Sequence, residues 1–307
     1  MQRSFKDYLI ITLKGIAMGA ADVVPGVSGG TIAFISGIYE ELLESINAIN
    51  FNTLKVLKQK GVKAMWKSIN GNFLLSLLLG IGISIISLAK LIKWLLENKP
   101  ILVWSFFFGL VVASVIYVAK QIKEWNVAGI VLLVIGAGIA YYISILPPMA
   151  NGISSTWFLF FAGSLAICAM ILPGISGSFI LLLLGVYKPV LDAIHDKDFK
   201  TLIVLISGAV VGLLTFSRLL KWLFDKYHTL TLAALTGFIL GSLNKIWPWK
   251  KIISSEMIDG KLKILQEESI SPFAYKGNPE LLWAILLTAI GFLVIVILEK
   301  SATVKAT

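Results

Sequence analysis

The sequence predicts an all-α polytopic membrane protein made of two inverted repeats, each a re-entrant helical hairpin followed by three transmembrane helices. First, the 307 residues are 57% hydrophobic and only 14% charged, which is more apolar than soluble domains usually are. Second, apolar stretches that approach the roughly 20 residues needed to cross a bilayer recur along the whole chain. Third, a Pro-Gly motif occurs twice, and lysines concentrate on one side of the spans that this duplication implies.

The duplication is clearest around two Pro-Gly pairs, Pro25-Gly26 and Pro173-Gly174. At an offset of 148 residues, PGVSGGTIAFISGIYEELLESI matches PGISGSFILLLLGVYKPVLDAI, with nine of 22 positions identical. Further along, SLAKLIKWLLE matches TFSRLLKWLFD at an offset of 128 residues, which places a longer loop in the first half. Glycines also coincide at equivalent positions: Gly15 with Gly163, Gly80 with Gly208 and Gly109 with Gly237. The chain therefore contains two copies of one unit.

Each copy begins with the motif-bearing segment and continues with three apolar helices. The first repeat, residues 1–147, is predicted to have a hairpin at 5–46 and helices near 72–95, 101–119 and 127–146. The second repeat, residues 148–307, is predicted to have a hairpin at 155–194 and helices near 201–223, 229–247 and 281–299. Tryptophans mark many of the helix ends, as they do at membrane interfaces, and the Pro147-Pro148 pair gives the boundary.

The charge distribution decides whether each motif segment crosses the membrane or folds back. A crossing segment gives four spans per copy and parallel copies, whereas a re-entrant hairpin gives three spans per copy and inverted copies. With hairpins and a cytoplasmic N-terminus, a loop with five lysines falls on the cytoplasmic side, as the positive-inside rule predicts. The sequence therefore predicts six spans in the cytoplasmic (inner) membrane, with both the N-terminus and the C-terminus cytoplasmic.

Several function classes find no support in the sequence. The net charge of +10 comes with no motif that reads DNA or RNA, and lysines between apolar segments suit anionic lipid surfaces, so we expect no nucleic-acid partner. Two histidines and one cysteine give no metal-ligand spacing, and neither a Walker loop nor a dinucleotide fingerprint is present. We therefore expect no metal, no cofactor and no enzymatic activity; the sequence makes no prediction of oligomeric state.

The repeated motif has the chemistry of an anion site inside the membrane. Pro25-Gly26 ends one helix, and Ser28 can cap the next, as Ser176 can in the second copy. A helix N-terminus offers unpaired N–H groups and a partial positive charge, which suit a phosphate or carboxylate. The alternative is that these small residues only let helices pack closely. The candidate residues for a phosphate head group are Gly26, Ser28, Gly29, Gly30, Thr31, Gly174, Ser176, Gly177 and Ser178.

Three charged residues extend this candidate site. Asp22 precedes the first Pro-Gly and has Met170 as its counterpart; an ionisable group at such depth is a candidate proton carrier. Its alternative role is to satisfy nearby backbone N–H groups or to pair with a lysine. Lys90 and Arg218 occupy equivalent positions, where they either bind phosphate or extend toward the membrane interface.

The two motifs together resemble the PopT-type polyprenyl-phosphate transporter family, formerly described as a membrane domain of unknown function. The resemblance rests on GIAMGAADVVPGVSGGTIAFISGIYEELLESI and ILPGISGSFILLLLGVYKPVLDAI and extends over nearly the full chain. It implies translocation of undecaprenyl phosphate, the lipid carrier of cell-wall sugars, between the leaflets of the cytoplasmic membrane. The second motif differs from the first at Met170, Ser178 and Phe179.

The resulting hypothesis is a secondary transporter, or flippase, for a polyprenyl phosphate lipid in the bilayer, with possible proton coupling at Asp22. The head group is expected between the two hairpin tips and the tail in lipid through a lateral opening. The alternative is a channel or carrier for a small soluble anion, which would use the same helix ends along a continuous polar path.

Overall fold

Most of the described chain is helical in the computed structural model, which describes residues 3–24, 27–149, 155–258 and 261–303. The helices are α1 (Phe5–Val23), α2 (Gly29–Ile35), α3 (Tyr39–Asn47), α4 (Phe51–Ser68), α5 (Gly71–Asn98), α6 (Pro100–Gln121), α7 (Val127–Ile145), α8 (Thr156–Ile171), α9 (Gly177–Leu183), α10 (Tyr187–His195), α11 (Phe199–Ser242) and α12 (Leu281–Thr303). Two antiparallel strands, β1 (Lys250–Ile258) and β2 (Lys261–Ser269), lie between α11 and α12, followed by a 3-10 turn at Pro272–Ala274. Helices α5, α6, α7 and α11 are long and apolar enough to span a membrane. The predicted all-α polytopic membrane fold is confirmed.

Helix α11 consists of two helices rather than one. A continuous helix of its 44 residues would be about 66 Å long, roughly twice the thickness of a bilayer core. The helical geometry breaks at Tyr227, which has φ −134° and ψ 47°. Lys99, its counterpart at the offset of 128, joins α5 to α6 with nearly the same geometry, φ −140° and ψ 51°. The parts at 199–226 and 228–242 are therefore two helices.

Each Pro-Gly motif separates a long helix from two short ones. In the first copy α1 is followed by the seven-residue α2 and the nine-residue α3, and in the second copy α8 is followed by α9 and α10. Gly37 and Gly185, equivalent at the offset of 148, turn the chain between the short helices with φ of +69° and +68°. These values lie in the left-handed region, which glycine enters without steric penalty.

The packing of α1 against α5 shows where the first hairpin returns. Asn72 Nδ2 donates a hydrogen bond of 3.5 Å to the hydroxyl of Tyr8, Gly15 faces Gly80, and Gly19 faces Ser84. Because these contacts advance together along both helices, α1 and α5 run parallel and begin at the same level. The intervening chain therefore comes back to the side where α1 began, as a re-entrant hairpin requires.

The second copy packs in the same way at equivalent positions. In the first copy Gly15 lies against the Leu77 carbonyl and Gly80 lies against the Thr12 carbonyl. The matching contacts are Gly163 against the Leu205 carbonyl and Gly208 against the Phe160 carbonyl. These matched contacts support the duplication, while the orientation of the repeats in the membrane stays a prediction.

Two loops of the predicted topology contain regular structure that the sequence reading did not anticipate. The lysine-rich segment forms α4, which breaks at Gly61 and has no buried residue, as expected for an amphipathic helix at a membrane surface. The loop after α11 forms the β1–β2 hairpin, in which Lys250 is opposite Ser269 and Ile258 is opposite Lys261. An Asp-Gly pair between alternating apolar residues is a strong hairpin signal; residues 259–260 themselves lie outside the described part of the chain.

Candidate functional site

The two motif segments meet each other inside the protein. Ser28 caps α2, and its Oγ accepts a hydrogen bond of 3.0 Å from the Gly30 N–H. The same hydroxyl donates to the carbonyl of Met170 at 2.9 Å, at the end of α8 in the other repeat. Ser28 is fully buried. We call the end of α1 with the start of α2 the first tip, and the end of α8 with the start of α9 the second tip. A single side chain thus joins the first tip to the second.

Two more hydrogen bonds join the tips. Thr31 Oγ1 accepts a hydrogen bond of 2.9 Å from the N–H of Gly174, and the hydroxyl of Tyr39 donates to the carbonyl of Ile171 at 3.1 Å. The Thr31 and Tyr39 side chains are buried. Gly174 has φ +95°, a conformation that favours glycine. These bonds satisfy backbone groups that the break after α8 leaves without helical partners.

Glycine at position 30 allows the tips to approach closely. A methyl group placed on Gly30 would lie 2.5 Å from the carbonyl oxygen of Ile171 and 2.9 Å from that of Met170. Both obstacles are backbone atoms, so a side chain at this position would force the tips apart. The small residue serves close packing here, which is the alternative role that the sequence left open.

Asp22 is bound to the backbone of its own tip. Its Oδ1 accepts a hydrogen bond of 2.7 Å from the N–H of Gly29. The next amides of α2 also have partners, since Gly30 donates to Ser28 Oγ and Thr31 donates to the Ser28 carbonyl at 2.9 Å. An anion that approached this helix end would therefore have to displace groups of the protein itself.

The second tip is organised differently from the first. Ser176 precedes α9 but makes no capping bond, and its Oγ lies 2.9 Å from the Oγ of Ser178. Ser176 lines a small cavity of about 10 Å³, room for about one water molecule, together with Ser144, Ser242 and Lys245. The Nζ of Lys245 is 4.4 Å from the ring centre of Phe179. The second tip thus has a small cavity whose lining includes serine hydroxyls and a cationic side chain.

Lys245 also belongs to an ion cluster with the β-hairpin. Glu267 Oε2 lies 3.8 Å from the Nζ of Lys245 and 3.2 Å from the Nζ of Lys250. The Nζ of Lys250 is 4.3 Å from the ring centre of Trp104. Burial lowers the pKa of Lys245, and it lowers the pKa of Lys250 to about 8, in both cases against the opposing effect of Glu267.

In the described part of the chain, the remaining predicted site residues take no part in the hydrogen bonds that join the tips. Lys90 and Arg218 are exposed on α5 and α11, and Arg218 borders an apolar depression beside α4. Among the described residues, no hydrogen bond or ion pair connects either of them to a tip. Ser178 is exposed, and a methyl group on Gly177 would meet the Ala166 carbonyl at 2.7 Å. Gly26 lies outside the described residues.

Three residues of this region were missed by sequence reasoning: Tyr39, Lys245 and Glu267. Tyr39 is one of the nine identities between the two motifs, so the duplication itself was a usable signal. Lys245 follows an apolar helix and looks like an ordinary interfacial lysine. Glu267 is one of several charged residues in a mixed loop, and only the β-hairpin brings it to Lys245.

An apolar groove runs next to the tips. It has a volume of about 490 Å³ and is formed by α7, both parts of α11 and Leu172. Its walls are almost wholly hydrocarbon, including Phe216, Leu220 and Phe238. The Leu172 carbonyl lies 3.4 Å from Ser28 Oγ, so the groove reaches the point where the tips meet.

The protein has several membrane-spanning helices, and its two Pro-Gly hairpins meet each other inside it. This arrangement is typical of a multi-pass membrane transporter. The chain belongs to the family described as undecaprenyl phosphate translocase-like, whose model matches residues 18–264. It is 48% identical to a polyprenyl-phosphate transporter of Vibrio cholerae serotype O1, over 96% of this chain and 97% of that protein. It is 34% identical to a polyprenyl-phosphate transporter of Staphylococcus aureus, over 77% of this chain and 85% of that protein. No solved structure matches the chain. The resemblance seen in the sequence is confirmed.

Proposed function

We propose that this protein translocates a polyprenyl phosphate between the leaflets of the cytoplasmic membrane, as a secondary transporter for recycling of the carrier lipid. The observation that carries the proposal is the junction of the two tips through Ser28, Thr31 and Tyr39. The relatives named polyprenyl-phosphate transporter support the choice of substrate. The phosphate crosses where the tips meet, and the protein performs no chemical step on it.

The apolar groove beside the tips supports a lipid substrate. A prenyl chain is hydrocarbon, so burial between Leu172, Phe216 and Phe238 would replace its contact with lipid tails at little cost. A soluble anion would instead need a continuous polar path. The groove thus favours a lipid over a small soluble anion, the second candidate for the same helix ends.

Ion pairs at the face where α1 begins support alternating access. Carboxylates of α3 contact the segment before α1 and helix α11. Glu41 binds Arg3, the Glu44 carboxylate lies 3.3 Å from the Nζ of Lys221, and the Glu40 carboxylate lies 3.3 Å from the imidazole of His228. We interpret these contacts, together with the joined tips, as a state in which the substrate path is closed. Rocking of one inverted repeat against the other would open it to each side in turn, with both termini in the cytoplasm.

A leaflet-specific assay in proteoliposomes tests this function. Purified protein is reconstituted with undecaprenyl phosphate in one leaflet, and its appearance in the other leaflet is followed with and without an imposed pH gradient. We expect transfer well above that of protein-free vesicles. Equal rates with and without the protein would refute lipid translocation, and uptake of radiolabelled inorganic phosphate that ignores added lipid would favour the small-anion alternative.

Replacing Ser28 by alanine should slow transport about tenfold. The change leaves the Met170 carbonyl and the Gly30 N–H without their partner, and a buried unsatisfied polar group costs about 1–3 kcal/mol. Ser105→Ala is the matched control, because Ser105 is equally buried but donates only to the Ile101 carbonyl of its own helix. Equal transport rates for the two variants in the proteoliposome assay would contradict a role of Ser28 at the junction.

A further inference from the structure

The cluster of Lys245, Lys250 and Glu267 carries an unbalanced charge in a buried place. The three side chains are only 18%, 8% and 20% exposed. Among the described residues, the ion pairs of both lysines go to Glu267, so two cations share one carboxylate. Burying a charge without a partner is unfavourable, and a surplus cation in such a place attracts an anion.

The surplus charge lies beside the second tip. Lys245 connects the two regions, since its Nζ is 3.8 Å from Glu267 on one side and 4.4 Å from the Phe179 ring on the other. It lines the small cavity with Ser242, whose hydroxyl donates to the Ile239 carbonyl, and with Ser176, whose hydroxyl is paired only with that of Ser178 and can turn to donate to an oxyanion. A cation, the Ser176 hydroxyl and a cavity the size of one water molecule therefore lie together on the side of the tips that carries the β-hairpin.

We propose that Lys245 binds the phosphate of the substrate on the β-hairpin side of the tips, and that Glu267 is the counter-ion which this phosphate displaces. The inference rests on the proposed function and adds to it a specific binding site for the phosphate head group. In the structure the carboxylate of Glu267 takes the place that a phosphate oxygen would occupy. The binding side chain and its competitor thus come from the turn after α11 and from β2.

Charge balance gives the physical reason for this exchange. A phosphate monoester carries about −1.5 to −2 at neutral pH, which matches two lysines better than the single charge of a carboxylate does. Lysine binds phosphate as a compact point charge and needs no fixed bidentate geometry. In the absence of substrate, Glu267 keeps the lysines partly neutralised. The affinity for substrate is then set by competition between phosphate and Glu267.

The first test is Lys245→Met, read by two measurements. Binding of undecaprenyl phosphate to the purified protein in nanodiscs should weaken at least tenfold. The melting temperature should hold or rise, because the change removes the surplus cation and leaves Lys250 paired with Glu267. Lys245→Arg, which keeps the charge, should retain most of the affinity. Unchanged binding with a lowered melting temperature would show a merely structural lysine and overturn the proposal.

The second test is Glu267→Gln, with Glu268→Gln as its matched control. Glu268 is the exposed neighbour on the same strand, so its replacement should change nothing. Removal of the competing charge at Glu267 should tighten binding of undecaprenyl phosphate about five- to tenfold. Weaker binding, or binding equal to that of the control in a folded protein, would overturn the displacement.

The two proposals fail in different ways. If the wild-type protein transports and binds undecaprenyl phosphate but Lys245→Met binds it equally well, the proposed binding site at Lys245 is wrong and the proposed function stands. If the wild type neither binds nor transports the lipid, the function is wrong. Binding of inorganic phosphate then tests the site at Lys245 by itself. Binding by the wild type that is lost in Lys245→Met supports the site, and equal binding by the two proteins overturns it.

Discussion

Replacing Gly30 by alanine should lower the rate of polyprenyl phosphate transport about a hundredfold while the protein remains inserted in the membrane. The added methyl group would lie 2.5 Å from the Ile171 carbonyl oxygen, and no flexible side chain can give way there. The tips must therefore separate, which also breaks the hydrogen bonds from Ser28 and Tyr39 to the second tip. In enzymes, misplacement of about 1 Å can reduce rates about a hundredfold, and we expect an effect of similar size on passage of the phosphate between the tips.

Two matched glycines in membrane helices serve as controls for this prediction. Gly138 in α7 and Gly82 in α5 have open space where a methyl group would be added. Alanine favours helix over glycine by up to about 1 kcal/mol, so Gly138→Ala and Gly82→Ala should fold at least as well as the wild type. Transport is measured in proteoliposomes and insertion by the yield of membrane-extracted monodisperse protein. Normal transport by Gly30→Ala would show that close contact of the tips is not required.

The sequence predicted which residues form the tips but not how they bind each other. The duplication pointed to the breaks at the Pro-Gly pairs and to Ser28 as a helix cap, because caps and breaks are local features. The bond from the Gly174 N–H to Thr31 joins residues more than 140 positions apart, and such contacts depend on how the repeats pack. The Ser28 cap and the bond from Asp22 to a backbone N–H were both among the roles that the sequence suggested, and together they occupy the first amides of α2 that an anion would need.

The charged residues near the tips break the symmetry of the repeats. Asp22 has Met170 as its counterpart, and Lys245 has Tyr117 at the offset of 128. The first tip thus has an acid bound to its own backbone, and the second has a lysine beside a small cavity that serines line in part. Local sequence patterns could not reveal the lysine at the second tip, because Glu267 reaches Lys245 only once the β1–β2 hairpin has folded.

The role of Asp22 can be separated into capping and proton coupling by two substitutions. Asp22→Asn retains an oxygen that can accept the hydrogen bond from the Gly29 N–H, but it cannot bind and release a proton. Asp22→Leu removes both abilities. An ionisable side chain at membrane depth is expected to have a function. Asp22→Asn tests proton transfer alone, whereas Asp22→Leu tests proton transfer and the hydrogen bond to Gly29 together.

If Asp22 couples transport to protons, Asp22→Asn should fold normally, but its rate of transport driven by an imposed pH gradient should fall at least tenfold. Exchange of undecaprenyl phosphate between leaflets without a gradient should change much less, because the hydrogen bond to Gly29 is kept and the tip holds its shape. Asp22→Leu should lose both activities, since Gly29 is then left without its partner. The comparison is made in proteoliposomes with the two rates measured side by side. Full gradient-driven transport by Asp22→Asn would leave Asp22 with the backbone role alone, and a proton carrier would then have to be sought elsewhere on the path between the tips.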